Sequence, residues 1–247
     1  MSRRRDVEPD VRTTASPSSG DRATLTMRVT DRIRNAILRG AYPAGRVLRD
    51  EELARRYRVS RAVLRESLRR LAAEGFVEIR PSRGTAVTDL SPAGLIELTD
   101  MLVLLEPLAL RLAIPKLGPD DFARAEAALD AYERESDATR AAAHGWRFHA
   151  ALYAPSGRPV LVENIRRLQI QAARYGRASG TKRRSGTGRT PREWRALVGL
   201  LRAGRGDEAV ELLRRHISGP TSDLASFLTH LATPVGPGPA RGPRRRG

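Results

Sequence analysis

The chain is 247 residues long and carries 45 Lys plus Arg against 28 Asp plus Glu, a formal charge of +17 at neutral pH. A surplus of that size calls for a polyanion or an anionic membrane as partner, or else serves solubility alone, while 40% hydrophobic residues suffice for one or two folded cores and exclude a chain disordered throughout. The absence of cysteine excludes disulfide frameworks, thiolate metal sites and cysteine nucleophiles. The most apolar run, 101–114, is broken by Glu106, Pro107 and Arg111 and is too short to span a bilayer. The basic start Arg3-Arg4-Arg5 leads into Asp6, Glu8 and Asp10 rather than into an apolar export segment. The expectation is a cytoplasmic protein that does not contact a membrane.

Residues 1–25, rich in Ser, Thr, Pro, Arg and acids, are expected to form a disordered tail. From 26 to 40, Val29, Ile33 and Ile37 recur every four residues and Gly40 can end the helix they define. Asp50 can cap a short second helix carrying Leu53, Ala54 and Tyr57. The four residues Tyr57-Arg58-Val59-Ser60 then turn the chain, and Ser60 can cap a third helix that runs to Glu74 and stops at Gly75. Two strand-like runs follow, 76–79 and 85–88, around the basic tip Arg80-Pro81-Ser82-Arg83-Gly84. Three helices with a tight turn between the second and third, followed by a hairpin, make a winged helix-turn-helix over 26–89.

The third helix gives that fold a function. Leu64, Leu68, Leu71 and Ala72 share the face that packs on the first two helices, whereas Arg61, Arg65 and Arg69 lie four apart on another stripe. An arginine can read guanine bidentately in the major groove while others clamp phosphates. Alone the three would read as a solvated basic stripe, but with the turn, the Ser60 cap and the hairpin beside them the expected partner is double-stranded DNA.

Residues 90–233 read as helical throughout. Ser91-Pro92 opens a long helix to about Lys116 with a kink at Pro107, and Gly118-Pro119 opens the next. A further helix covers 139–153, and another begins at Pro159. A polar, basic loop, 176–189, is expected to be mobile, and Thr190-Pro191-Arg192-Glu193 then combines an N-cap, a first-turn proline and a capping-box glutamate. Gly204 and Gly206 separate that helix from one bearing Leu212, Leu213 and Ile217, and a last helical stretch follows Pro220. The Gly, Pro and Arg of 234–247 are expected to form a disordered basic tail. The fold class is therefore mainly α: a winged helix-turn-helix followed by an all-α bundle.

The segment from Val29 to Leu90 resembles the GntR family of bacterial transcription regulators. The resemblance is carried by Leu53-Ala54, Val59-Ser60-Arg61-Ala62-Val63-Leu64-Arg65-Glu66-Ser67-Leu68, Leu71 and Glu74-Gly75. It implies DNA contacts from Ser60, Arg61, Ala62, Arg65, Arg83 and Gly84, to which the helical stripe adds Arg69. Relatives usually have Arg where this chain has Glu51, a loss for which Arg49 can compensate, and Gly where it has Arg58. If φ is positive at Arg58, its side chain costs on the order of 1 kcal/mol.

The second half resembles FCD, the ligand-sensing domain of the FadR subfamily, at Leu105-Glu106, Phe148-His149-Ala150-Ala151-Leu152, Ser156-Gly157-Arg158-Pro159-Val160-Leu161 and Arg215-His216. The resemblance implies a small-molecule effector, a homodimer, and in many members a divalent metal held by an Asp and three His. Here His149 and His216 stand at ligand positions, but Gly145 replaces the Asp and Trp194 a His, so metal binding is weak or absent and no cofactor is assigned. His144 points about 140° away from His149 and is a poor substitute. The effector pocket is assigned to His149, His216, Trp194 and Tyr153, with Trp194 able to stack on an apolar ligand.

The expected function is sequence-specific transcriptional regulation by a ligand-responsive homodimeric repressor that binds a short palindromic operator. Two other readings stay open: a sequence-indifferent architectural DNA protein, and a metal-dependent hydrolase using His149 and His216. No Walker loop, nucleophile elbow or metalloprotease helix accompanies the hydrolase reading, so no enzyme is expected. By segment, 26–89 carries +7, 173–192 another +7 and 234–247 +4. The last two surpluses, in Lys182-Arg183-Arg184 and Arg244-Arg245-Arg246, are expected to add salt-sensitive DNA affinity without sequence preference.

Overall fold

The computed structural model describes residues 19–80, 84–178 and 189–219, with Thr221 and Ala225. The apolar period of Val29, Ile33 and Ile37 seats α1 (Ser19–Leu38) against α3 (Arg61–Ala73), and α2 (Asp50–Tyr57) closes the head with Leu53 and Tyr57. Ile33, Leu53, Leu64, Leu68, Leu71, Phe76 and Val87 are all buried in one core. Each contributes about 1.5–3 kcal/mol of transfer free energy.

The sequence expectation of a disordered tail to residue 25 needs correction from Ser19 onward, because α1 starts there. Thr26 and Thr30 are buried, and Ser67 Oγ on α3 donates to the Thr26 carbonyl at 3.1 Å, so tertiary contact anchors the first turns. From that anchor the helix propagates back along exposed residues at little cost, a step composition does not register. Residues 1–18, 179–188 and 226–247, which include both basic clusters and the C-terminal tail, lie outside the described residues.

The wing also differs from a plain hairpin. A third strand, β1 (Val47–Leu48), pairs antiparallel with β3 (Gly84–Val87), which pairs in turn with β2 (Val77–Arg80), giving the order β1-β3-β2. Two residues are too few for an alternating pattern to be seen in sequence.

The bundle follows. Ser91 Oγ accepts from the Gly94 amide at 3.0 Å to start α4 (Pro92–Ala113), which runs on through Pro107 and ends in a 3-10 turn, Ile114–Lys116. Then come α5 (Pro119–Arg134), α6 (Ala138–Tyr153), α7 (Pro159–Ala178), α8 (Arg189–Arg202) and α9 (Gly206–Ser218). The helical ends of α7 and α8 take in 176–178 and 189, which the sequence reading placed in the loop. Ala109, Leu110, Leu129, Phe148, Leu152, Ile165, Leu197 and Leu213 form the bundle core. Among the described residues no helix is long and apolar enough to cross a membrane.

Candidate functional site

The turn before α3 aims its first residues outward. Arg58 ends α2 in the left-handed region at φ 55°, the one non-glycine among the described residues with positive φ, and Val59 N donates back to the Ala54 carbonyl. The Ser60 hydroxyl accepts from the Val63 amide at 3.3 Å, so the predicted cap forms. With Val63, Leu64, Ser67, Leu68 and Leu71 buried, Ser60, Arg61, Ala62, Arg65 and Arg69 are left exposed, as the helical period requires. Arg49 is the exposed N-cap residue of α2, and Gly84, at φ 81°, begins β3 opposite Arg80. Arg83 lies outside the described residues.

The arginines are not bare. Arg61 Nη2 meets Glu51 Oε1 at 2.6 Å, Arg65 Nε meets Asp50 Oδ2 at 3.4 Å, and Arg69 Nη1 lies 3.6 Å from Glu66. Their side chains are 64–69% exposed, and surface pairs of this kind contribute about 0–1 kcal/mol, so a phosphate or a base edge can displace the carboxylate. Glu51 therefore sits where it can fix the direction of Arg61. Its ten-residue separation from Arg61, across a turn, left no signal in the sequence.

A second polar cluster lies inside the bundle. Tyr153 donates to Glu106 Oε2 at 2.7 Å, and Gln169 Nε2 donates to Glu106 Oε1 at 2.8 Å. With the Tyr153 proton committed to Glu106, the contact of 3.1 Å between His149 Nδ1 and Tyr153 Oη requires Nδ1–H to donate, which sets the His149 tautomer. Burial pushes the Glu106 carboxyl up to about 7 against the pull of both hydrogen bonds. Burial first, and His216 second, hold His149 down at about 3. Burial, then the Glu106 charge, raises Tyr153 well above the usual phenol.

Trp194 and His216 adjoin this cluster. The indole stacks on Phe148, with centroids 4.7 Å apart and planes 9° apart, and meets His149 edge-on at 5.0 Å. Its Nε1–H donates to His216 Nε2 at 3.3 Å, and His216 Nδ1–H then faces Glu193 Oε2 at 2.7 Å. A Cβ added to Gly145 would lie 3.0 Å from Trp194 Cη2, so the indole fills the space in front of this helix position. His144 lies apart from the cluster, beside Arg147 at 3.5 Å.

This donor set does not suit the metal that the resemblance implies. The His216 lone pair at Nε2 already accepts from Trp194, Gly145 offers no ligand, and no group of three His, Cys, Asp or Glu that could hold a metal exists among the described residues. The four residues assigned to the pocket do come together, but Trp194 gives its ring face to Phe148 and is buried. Sequence reasoning passed over Gln169 and gave Glu193 only a capping role. Both are polar residues on helices whose partners stand 63 and 23 positions away, a pairing that periodicity does not disclose.

Two sequence profiles match the chain: "Bacterial regulatory proteins, gntR family" over residues 25–87, and the FCD domain over 97–219. An HTH-type transcriptional regulator of Mycobacterium tuberculosis is 32% identical over 156 residues, covering 56% of this chain and 64% of that protein. The HTH-type transcriptional repressor GlaR of Escherichia coli is 31% identical over 150 residues, 58% of this chain and 68% of that one. An Agrobacterium vitis regulator is matched over 61% of its length, so the chain aligns with a little under two thirds of some of these relatives. Among solved structures, a GntR regulator from Rhodococcus sp. RHA1 superimposes with a TM-score of 0.70 at 21% identity, covering 82% of this chain and 98% of that one. McbR of E. coli does so with a TM-score of 0.68, also at 21% identity, over 82% and 97%. These two share the fold. With a gntR head on residues 25–87 and an FCD domain filling the bundle, the chain belongs to the gntR family of bacterial regulatory proteins.

Proposed function

We propose that the protein is a sequence-specific transcriptional regulator, a repressor that acts in the cytoplasm as a homodimer on a short palindrome and is released by a small molecule bound in its bundle. The observation that carries the DNA-binding part is the exposed stripe Arg61, Arg65, Arg69 on a helix whose opposite face is wholly buried and whose first turn is capped by Ser60. Arg49 and Gly84 are placed on the same head, at the start of α2 and on the wing.

Dimerisation is supported by α4. Ile96, Leu104 and Leu108 repeat at multiples of four along it, with Met101 beside them, and all are exposed. A second copy presenting the same stripe would bury these side chains by two-fold symmetry and bring two heads to one duplex. The repressor reading rests on relatives such as GlaR, which is named a repressor. The effector is proposed to act through the cluster of Glu106, Tyr153, His149 and Gln169 without a metal, and so to be neutral or a hydrogen-bond donor toward Glu106.

Footprinting on the DNA upstream of the protein's own gene tests this reading. The wild type is expected to protect a palindrome, and Arg65→Ala to lose about 1–3 kcal/mol of discrimination while unfolding at the same temperature. Equal affinity for all duplexes at matched salt would instead support the architectural reading.

A further inference from the structure

The helix α7 carries polar side chains to both of its neighbours. On the bundle side Gln169 reaches Glu106, and Ile165 is buried in the bundle core. On the other side Gln171 Nε2 donates to the Glu74 carbonyl at 2.9 Å, and Ile170 packs on the core of the head. Residues two apart on a helix point about 200° apart, which is why Gln169 and Gln171 can serve opposite neighbours.

Arg174 makes the stronger attachment. Its Nη1 donates to the Gly75 carbonyl at 3.1 Å and its Nη2 to the Thr88 carbonyl at 2.6 Å, while the guanidinium lies over the Phe76 ring, 5.4 Å from the centroid. The residue is only 7% exposed. Gly75 and Thr88 flank the wing, one where the chain leaves α3 and the other where it leaves β3. A planar fork on two fixed carbonyls sets an orientation that a single point of contact would leave free. Gly75 itself permits the approach, since at φ 74° it lacks the Cβ that would come within 3.0 Å of Gln171 Nε2.

We propose that Arg174 and Gln171 are positioning residues for DNA reading: they fix the winged head on the bundle and so set the spacing between half-sites that the dimer accepts. This rests on the dimeric DNA-binding function proposed above. Neither residue touches DNA in this scheme. They act through the angle of α3, and Gln169 makes the polar cluster of the bundle part of the same rigid helix.

Selection of the full-length protein on a randomised duplex library, long enough for two half-sites about one helical turn apart, provides the test. The wild type is expected to enrich two half-sites at one spacing and to lose on the order of tenfold in affinity when one base pair is inserted between them. Arg174→Lys, Arg174→Ala and Gln171→Leu are expected to enrich the same half-site yet tolerate the insertion within about threefold. The lysine variant keeps the stem and the charge, so it serves if the alanine variant does not fold. Unaltered spacing preference in the folded variants, or an equal loss at every spacing, would overturn the proposal while leaving the DNA-binding reading in place. Failure of the wild type to enrich any paired half-site would overturn that reading, and this proposal with it.

Discussion

The arginine stripe of α3 and the Glu106 cluster of the bundle are both built from ionisable groups, yet they obey opposite rules. On α3 each guanidinium has a carboxylate within 3.6 Å, but water surrounds the pair and either partner can be exchanged cheaply. In the bundle a carboxyl, a phenol and an imidazole are buried together, and removing one partner strands another. The first arrangement suits a surface that must trade carboxylates for phosphates and base edges. The second suits a site that changes only when something enters it.

The largest test of this contrast is Trp194→Ala. The indole touches Phe148, His149 and Tyr132, and its loss opens a cavity and frees His216 Nε2, so unfolding free energy should fall by about 3–5 kcal/mol. DNA affinity of the folded fraction should not change. A loss below about 1 kcal/mol in a denaturant titration would show that the ring is not part of the core.

Next in size is the pH dependence of Glu106→Gln. Because burial raises Glu106 from 4.5 to about 7, the native state retains a proton that the unfolded chain has lost, and stability falls as pH rises through that range. His149, lowered from 6.5 to about 3, acts in the other direction, with stability falling as pH drops through its range. Between pH 4.5 and 6.5 the two slopes, each about 1.4 kcal/mol per unit at most, oppose one another and cancel in the wild type. Glu106→Gln removes one of them. Its unfolding free energy should then rise with pH across that window, and a profile parallel to the wild type would contradict the assignment.

A smaller effect is expected at the exposed end. Arg58→Gly relieves a side chain held at φ 55° and should stabilise the head by up to about 1 kcal/mol, read as a rise in Tm. The smallest is none at all: zinc or nickel added to metal-stripped protein should leave Tm unchanged, and a saturable rise would show that the indole can be displaced from His216.

The sequence disclosed what is local and periodic. The Ser60 cap, the turn at Arg58, the wing strands and the arginine stripe all depend on residues within a few positions of one another, and each forms where its pattern places it, the two strands to within one residue. The start of α1 was missed because a buried Thr26 bonded to Ser67 is a tertiary fact. The same holds for the contacts of Glu51 with Arg61, Gln169 with Glu106 and Arg174 with Thr88, which join separate elements. In the bundle the sequence indicated the helices, the grouping of His149, Tyr153, Trp194 and His216, and the departure of Gly145 and Trp194 from the family pattern. It did not indicate that one departure makes room for the other.

That last pairing constrains the order in which the chain could have changed. A side chain at position 145 and an indole at position 194 claim the same volume, down to a 3.0 Å approach for the first carbon. With the tryptophan in place, a side chain at 145 requires the indole to give by a few tenths of an ångström, so the glycine eases the seating of the ring. Replacing the glycine is therefore easier once the ring has gone, which gives the two substitutions a preferred order.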